Sequence, residues 1–236
     1  MPDTAFDLEI LLFLNQYARS SESMDALIGF ISGNHLIKGG VPMALFWWAW
    51  FREEEHSIVR ARLLSTLVAC LMAIIVARLL AHALPFRLRP IQNEDLPLVL
   101  PFGVFRGRIL DGWSSFPSDH AVLFYALATG LFCASRKPGL ILLVYTTLLI
   151  ALPRIYLGLH YPSDILAGAV LGMALTLSLQ QSLTLRMVGL PLQKWSNRRP
   201  ALFYALFFLL SYQIADMFNS ARSMLKLAAY LVMQQP

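Results

Sequence analysis

Long apolar runs set the strongest limit on how this chain can fold. Several of them approach the ~20 residues that a helix needs to cross a hydrocarbon layer ~30 Å thick. Of the 236 residues, 57% are hydrophobic and only 14% are charged, whereas an average soluble domain has about 25% charged residues. We therefore exclude a soluble helical protein. The sequence predicts an all-α, polytopic membrane bundle of about six transmembrane helices, with short interfacial helices at its N-terminus.

The predicted transmembrane helices follow one another with polar connections between them. They cover residues 36–51, 59–84, 119–134, 140–155, 163–183 and 201–217. Two shorter apolar segments precede them, at residues 5–19 and 24–31, and are predicted to be interfacial or re-entrant. The chain thus divides into N-terminal interfacial helices at 1–35, a membrane core at 36–183, and a third part at 184–236. This last part holds a basic loop, the sixth helix and an amphipathic tail.

Two polar clusters bracket the third and fourth predicted helices. The first runs from Phe116 to His120, and the second runs from Arg154 to Asp164. Because two crossings return a chain to the side it left, both clusters must lie at one membrane surface. Ionisable residues at membrane depth are costly and by default suggest function. We therefore predict that this surface binds the headgroup of an anionic lipid.

Basic residues in the connections predict the orientation of the protein. The side away from the two clusters carries more Lys and Arg than the cluster side, and such an excess marks the cytoplasmic side. The residues on that side are Arg52, Arg60, Arg62, Arg136, Lys137, Arg186, Lys194, Arg198 and Arg199. The clusters are therefore expected to face outward. Lys and Arg do not gather into the footprint of a nucleic-acid-binding protein, so nucleic acid is not an expected partner.

The two histidines of the clusters suit different catalytic roles. His160 and Asp164 are four residues apart at the start of the fifth predicted helix. A carboxylate there can accept the proton of one ring nitrogen and leave the other nitrogen as a nucleophile. His120 lies in the first turn of the third predicted helix, where it could protonate a leaving oxygen.

Further polar groups suit a phosphate. Ser118 occupies the predicted N-cap of the third helix, beyond which backbone amides can point at an anion. Arg89 and Arg154 offer planar forks that match phosphate oxygens. These groups together predict a phosphoryl-transfer site that needs no metal and no cofactor.

Each of these residues also has a plainer interpretation. A lone histidine at a helix end is more often an interfacial polar residue, and a serine before a helix is usually only a cap. An arginine at a membrane edge usually extends its charge to the lipid headgroups. The convergence of all of them on one surface favours the catalytic interpretation.

The motifs resemble those of a known family. Arg-Pro at 89–90, Pro-Ser-Asp-His at 117–120 and Arg-x5-His-x3-Asp at 154–164 are similar, in order and spacing, to the three-part signature of the type 2 phosphatidic-acid phosphatase superfamily. The resemblance covers about residues 36–183. The longer forms Ser-Phe-Pro-Ser-Asp-His and His-Tyr-Pro-x-Asp are similar to the bacterial undecaprenyl-diphosphate phosphatase branch.

The resemblance implies a metal-independent lipid phosphatase. In it, His160 forms a phosphohistidine, Asp164 orients His160, and His120 is first the acid for the leaving group and then the base for water. The residues implied to hold the phosphate are Arg89, Ser118 and Arg154. Together with the charge pattern, the resemblance implies a multi-pass protein of the bacterial inner membrane whose site faces the periplasm.

Three positions depart from the family pattern. The family often has Lys seven residues before the arginine of Arg-Pro, and here that residue is His82. His82 is predicted to contact the substrate, with Arg78 or Arg87 as alternatives. Pro153 stands where Ser is usual, which removes one hydrogen bond to phosphate. Asp119 is the third departure and another candidate for substrate binding. Its negative charge suits a helix N-terminus but opposes the binding of an anion unless the carboxylate turns away.

Undecaprenyl diphosphate, cleaved to the monophosphate, is the predicted substrate. Phosphatidic acid, phosphatidylglycerol phosphate and lipid A are alternatives, and so is transfer of the phosphoryl group to an acceptor other than water. A membrane scaffold with a decayed site is a further alternative, motivated by the lost lysine. A metal-dependent hydrolase is another, and its ligands would be His82, Asp111, His120 and His160.

Overall fold

The computed structural model describes residues 4–52, 57–106 and 112–233, and in these ranges the chain forms helices and no strands, as predicted. The α-helices are α1 (Ala5–Asn15), α2 (Glu22–Gly33), α3 (Val41–Arg52), α4 (Ser57–Ala83), α5 (Asp119–Ala134), α6 (Arg136–Tyr145), α7 (Leu152–Tyr156), α8 (Pro162–Leu179), α9 (Ser182–Thr184), α10 (Leu190–Arg198), α11 (Pro200–Ala215) and α12 (Asn219–Met233). Short π-helical turns lie at Leu36–Gly40, Thr146–Ala151 and Leu185–Gly189, and a 3-10 turn lies at Pro90–Gln92.

Helix α5 is the centre of the bundle. It packs against α4, α6 and α8, and its apolar side chains are buried around the whole circumference, as expected for a helix without a polar face. The fully buried ones include Val122, Leu123, Phe124, Leu127 and Leu131. This burial fixes the position of the first polar cluster, because Ser118 and His120 lie at the N-terminal end of α5.

Two glycines let α8 approach α5 closely. A Cβ on Gly168 would lie 2.8 Å from the carbonyl oxygen of Ser118, and a Cβ on Gly172 would collide with the carbonyl of Val122. Small residues spaced four apart allow such backbone contact between membrane helices. The contact sets the start of α8, which carries Asp164, directly beside the start of α5.

Three helical segments are long and apolar enough to cross a membrane. They are Ile58–Ala83, Arg136–Tyr156 and Pro162–Leu179. A fourth candidate is α11 with the first part of α12, which are bent by 93° at their junction, and α5 is apolar but shorter. A membrane protein is therefore supported among the described residues, while the count of six crossings stays a prediction.

Both ends of the chain pack near the polar clusters. Helix α1 contacts α7 and α8 and buries Asp7 and Leu11. The π-helical turn at Leu36–Gly40 packs on α11, where Gly39 leaves no room for a Cβ against the backbone of Ala215. The division of the chain at residues 35 and 183 stays a prediction.

Candidate active site

The two polar clusters meet at one cavity of about 920 Å³. His160 reaches it from the turn between α7 and α8, where the backbone amides of Leu159 and His160 donate to the carbonyl of Arg154. His120 reaches it from the first turn of α5, and Arg89 from the N-cap of the 3-10 turn. The structure thus brings Arg89, His120, Arg154 and His160 together around one space, as the order of the motifs predicted.

The hydrogen bonds of His160 indicate its tautomer. Its Nδ1 lies 2.9 Å from the carbonyl oxygen of Ser115, and that oxygen can only accept, so Nδ1 carries the proton. Its Nε2 lies 3.1 Å from Nη1 of Arg89, which can only donate. Both contacts leave the lone pair on Nε2, the nitrogen beside the arginine. This is the tautomer that an imidazole nucleophile needs.

Asp164 acts on His160 less directly than its spacing suggested. The carboxylate oxygen of Asp164 is 3.7 Å from Nδ1, which is too long for a hydrogen bond. The same oxygen accepts from Oγ of Ser115 at 2.5 Å and from the amide of Tyr161 at 2.8 Å. Ser115 therefore connects the two residues, because its carbonyl holds the imidazole and its hydroxyl holds the carboxylate.

Arg87 anchors this arrangement from behind. Its guanidinium donates to Asp164 and to Asp7, each at 2.7 Å, and lies 4.0 Å above the ring of Tyr161. Asp7 also accepts from the amide and the hydroxyl of Ser163, both at 2.8 Å. Burial raises the pKa of Asp7, but the hydrogen bonds from Arg87 and Ser163 outweigh burial and hold that pKa below its usual value. Arg87 thus links Asp7 of α1 to Asp164 at the start of α8.

Arg154 and His120 form a second pair across the cavity. Nη2 of Arg154 donates to Nε2 of His120 at 2.5 Å. The neutral ring of His120 therefore carries its proton on Nδ1. An anion that draws the guanidinium of Arg154 to itself would free Nε2 of His120 and would favour the protonated, acidic form of the ring.

Several buried donors have no hydrogen-bond partner in the described part of the chain, and three of them belong to the predicted phosphate-binding residues. They are the hydroxyl of Ser118 and the Nε–H groups of Arg89 and Arg154. Ser118 occupies the N-cap position of α5, as predicted, but its side chain makes no capping hydrogen bond. Buried donors are normally paired, so this set is suited to the oxygens of a bound phosphate.

Burial also sets the charges of the loop residues in the site. It lowers the pKa of His160 to about 4, with the neighbouring charges of Arg89 and Arg154 acting in the same direction against that of Asp164. Burial lowers the pKa of Arg89 to about 10, so this arginine still carries its charge at neutral pH. The site therefore presents a neutral imidazole beside a cation.

The residues that depart from the family pattern, and the two arginines considered as alternatives, lie in different parts of the structure. His82 is exposed and is not part of the cavity wall, so its contact with substrate stays a prediction. Of the two alternatives, Arg87 is bound to carboxylates behind the site, while Arg78 lines the cavity. Nε of Arg78 donates to Asp119 at 3.0 Å, so the negative charge of Asp119 is neutralised locally.

Comparison with known proteins agrees with the geometry. The PAP2 superfamily matches residues 86–187. The putative undecaprenyl-diphosphatase YbjG of Escherichia coli is 29% identical over 175 residues, which cover 74% of this chain and 81% of that protein. Lipid A 4'-phosphatase of Bacteroides thetaiotaomicron is 41% identical over 87 residues, 36% of this chain and 38% of that protein. The crystal structure of Aquifex aeolicus LpxE matches with a TM-score of 0.50 and 24% identity, over 75% of this chain and 95% of that one.

Over residues 86–187 the chain is similar to the PAP2 superfamily. The match is to the superfamily that the motifs resembled, and the matched region contains the principal candidates of the site: Arg89, Ser118, His120, Arg154, His160 and Asp164. His82, Arg78 and the whole of α12 lie outside that region.

The motifs did not reveal how the residues behind the site are bonded. Ser115 is the first residue of Ser-Phe-Pro-Ser-Asp-His and was given no role, and Arg87 was considered only as an alternative to His82. Asp7 had a detectable signal, because a carboxylate in an apolar helix is costly unless it is paired. The partner of Asp7 could not be found from the chain, since Arg87 is 80 residues away.

A metal centre has little support in the described ranges of this chain. No group of three or more His, Cys, Asp and Glu residues there is arranged to hold a metal ion. Of the ligands considered above, His82 lies away from the cavity and Asp111 lies outside the described residues.

Proposed function

We propose that this chain is an integral-membrane phosphatase that hydrolyses undecaprenyl diphosphate to undecaprenyl phosphate through a phosphohistidine. One observation carries the proposal: a buried His160 has its lone pair on Nε2, beside Arg89, and faces a cavity shared with the Arg154–His120 pair. The name of the E. coli relative supports the choice of lipid. An imidazole fixed in one tautomer beside two arginines is suited to phosphoryl transfer.

In the first step, Nε2 of His160 attacks the terminal phosphorus. The bond from that phosphorus to the bridging oxygen breaks, and the electron pair goes to the oxygen. His120 gives this oxygen its proton, so undecaprenyl phosphate leaves and a phosphohistidine remains. The positive charge that develops on the imidazole is stabilised by its Nδ1–H bond to the Ser115 carbonyl and by the nearby carboxylate of Asp164.

In the second step, water hydrolyses the phosphohistidine. His120, now neutral, takes a proton from the water as the water oxygen attacks phosphorus. The phosphorus–nitrogen bond breaks, its electron pair returns to Nε2 of His160, and inorganic phosphate is released. Arg89, Arg154 and the hydroxyl of Ser118 hold the phosphoryl oxygens in both steps, because charge on those oxygens is what a phosphoryl-transfer site must stabilise.

We also place the site at the outer face of a bacterial inner membrane. The distribution of Lys and Arg between the connections supports this orientation. In that orientation the lipid tail would remain in the hydrocarbon layer while its phosphates reach the cavity from the periplasmic side.

A lipid A phosphatase is the second candidate. It is favoured by the 41% identity of 87 residues to lipid A 4'-phosphatase. Phosphatidic acid, phosphatidylglycerol phosphate and transfer to another acceptor use the same chemistry. A scaffold with a decayed site is disfavoured, because the tautomer of His160 and the unpaired donors are intact.

The test measures phosphate release by the purified protein in detergent with EDTA, beside His160→Ala. We expect release from undecaprenyl diphosphate that exceeds release from lipid A, phosphatidic acid and phosphatidylglycerol phosphate, and a loss of at least ~10⁴-fold in the variant. Acid-labile labelling of the wild type by labelled substrate, absent in His160→Ala, would identify the intermediate. Release that persists in His160→Ala rejects the nucleophile, and release abolished by EDTA supports the metal enzyme.

A further inference from the structure

The cavity continues beyond the phosphate clamp to a second set of cations. Lys38 lines it from the π-helical turn at Leu36–Gly40, and Arg222 and Lys226 line it from α12. None of the three belongs to the PAP2 match, which begins at residue 86 and ends at residue 187. The reaction described above uses none of them.

Lys38 is the unusual member of this set. Its side chain is buried, with only 8% of the residue exposed, and it faces the cavity. Among the residues that the structure describes, its ammonium has no hydrogen bond and no carboxylate within 4 Å. The carboxylate whose charge acts on Lys38 is Asp216, which is already bonded to Ser220 and paired with His35. The side chain is thus mostly buried while its unpaired ammonium reaches the cavity, where an anionic ligand would supply the counter-charge.

The backbone around Lys38 is held on both sides. The hydroxyl of Tyr145 donates to the carbonyl of Ile37 at 2.7 Å. On the other side, Gly39 is packed directly on the backbone of Ala215. Local π-helical geometry of this kind occurs frequently at functional sites. Lys38 is therefore positioned by the fold and does not sample the surface as an ordinary lysine does.

The position of Lys38 indicates which part of a substrate it meets. Its charge acts on Arg154 and on His120, the residue that delivers the proton to the leaving group. A phosphoryl group at His160 would have its leaving oxygen toward His120. When a lipid diphosphate is cleaved, the leaving group is itself a phosphate. When a lipid monophosphate is cleaved, the leaving group is an uncharged alcohol. A cation that lines the cavity together with His120 therefore meets a charged leaving group only in the first case.

We propose that Lys38 binds the lipid-linked phosphate of a diphosphate substrate, the phosphate that leaves, and so selects diphosphates over monophosphates. Arg222 and Lys226 extend the positive surface toward that phosphate from α12. Arg222 contributes with part of its guanidinium only, because its Nη2 donates to Met217 and Asn219. The proposal rests on the proposed function and specifies its substrate class.

The test compares Lys38→Met and Lys38→Arg on a prenyl diphosphate and on the prenyl monophosphate with the same tail. We expect kcat/KM of Lys38→Met to fall ~10–100-fold for the diphosphate, the loss typical of a bond to a charged group, and less than ~3-fold for the monophosphate. Lys38→Arg should retain most of the preference. The matched control is Lys137→Met, an exposed lysine at the start of α6, which should change neither substrate.

Stability distinguishes this role from a structural one. Because Lys38 has no partner that Lys38→Met would leave unpaired, the midpoint of thermal unfolding should not fall. A lower midpoint with equal losses on both substrates would show that Lys38 supports the fold. Equal losses at an unchanged or higher midpoint would place Lys38 on the transferred phosphoryl group. No loss on either substrate would show that it binds neither. Each of these three outcomes overturns the proposal.

A binding experiment separates this proposal from the proposed function. Calorimetry would compare methylenediphosphonate with inorganic phosphate on the intact protein. The wild type should bind the diphosphonate at least ~10-fold more tightly, and Lys38→Met should lose that preference. If no lipid phosphate is hydrolysed but the preference is present and depends on Lys38, the proposed function fails and the subsite stands. Equal affinities in the wild type reject the subsite.

Discussion

The two sides of the cavity differ in how completely they are bonded. On the nucleophile side, His160, Ser115, Asp164, Arg87 and Asp7 form one connected set of hydrogen bonds and ion pairs. On the other side, the ammonium of Lys38 lines the cavity and has no partner among the residues the structure describes.

The difference follows from what each side must do. A nucleophile has to keep one tautomer and one direction before the substrate arrives, and bonds within the protein provide this. Groups that bind phosphate must offer free donors, and they are satisfied only in the complex. The first side should therefore lose stability when a member is removed, whereas the second should lose substrate binding and keep or gain stability.

The largest expected effect is that of Arg87→Met. This change leaves the buried carboxylates of Asp7 and Asp164 without their shared cation. Breaking a buried ion pair by removing one partner costs ~3–5 kcal/mol. We expect a lower midpoint of thermal unfolding in detergent and a loss of phosphatase activity beyond ~100-fold.

The control for Arg87→Met is Arg186→Met, because Arg186 is exposed and far from the site in sequence. It removes the same charge and should change neither the midpoint nor the activity. An Arg87→Met protein with the stability of the wild type would contradict the structural role assigned to the Asp7–Arg87–Asp164 set.

Ser115→Ala should have a smaller effect that is confined to catalysis. The variant loses the hydroxyl bond to Asp164 but keeps the backbone carbonyl that holds Nδ1 of His160. A hydrogen bond to a charged group contributes ~1.5–3 kcal/mol, which corresponds to ~10–100-fold in rate. We expect kcat to fall by this factor with little change in KM, because Ser115 does not contact the phosphate.

Ser178→Ala is the matched control, since Ser178 is an exposed serine whose hydroxyl donates only to the carbonyl of Ala174 within α8. A rise in KM at constant kcat in Ser115→Ala would assign Ser115 to substrate binding. An unchanged kcat would mean that Asp164 orients His160 without the hydroxyl.

The comparison also explains what the sequence could reveal. The end of α4 follows from Pro85 and the start of α8 from Pro162, and the meeting of His120 with His160 was expected from two predicted crossings between them. These inferences need only local patterns and the thickness of a membrane. Arg89 and Arg154 were predicted to bind phosphate because they belong to short motifs, and this role stays a prediction.

The bonds behind the nucleophile could not be predicted, for a physical reason. Asp7 and Arg87 meet because α1 packs beside the start of α8, and the packing of separate helices depends on side-chain shapes along both of them. Lys38 likewise reaches the cavity only because Gly39 allows contact with α11. The spacing Gly168-x3-Gly172 was a readable signal for the contact of α5 with α8, since small residues four apart favour such packing.

The smallest effect that the comparison predicts is on the pH dependence of activity. His160 lies between the spanning segments Arg136–Tyr156 and Pro162–Leu179, and burial lowers its pKa to about 4 from the ordinary 6.5. Only the neutral ring can attack, so activity is lost as the pH falls through this pKa. An ordinary histidine would be only ~3% neutral at pH 5, whereas His160 would be about 90% neutral. We therefore expect kcat/KM at pH 5 to stay within about 2-fold of its value at pH 7, after correction for the ionisation of the lipid phosphate. Phosphorus NMR of the substrate in the same micelles measures that ionisation. If activity instead falls with an apparent pKa near 6.5 after that correction, His160 is solvated in the working enzyme. The nucleophile side would then be no more closed to water than the side of Lys38.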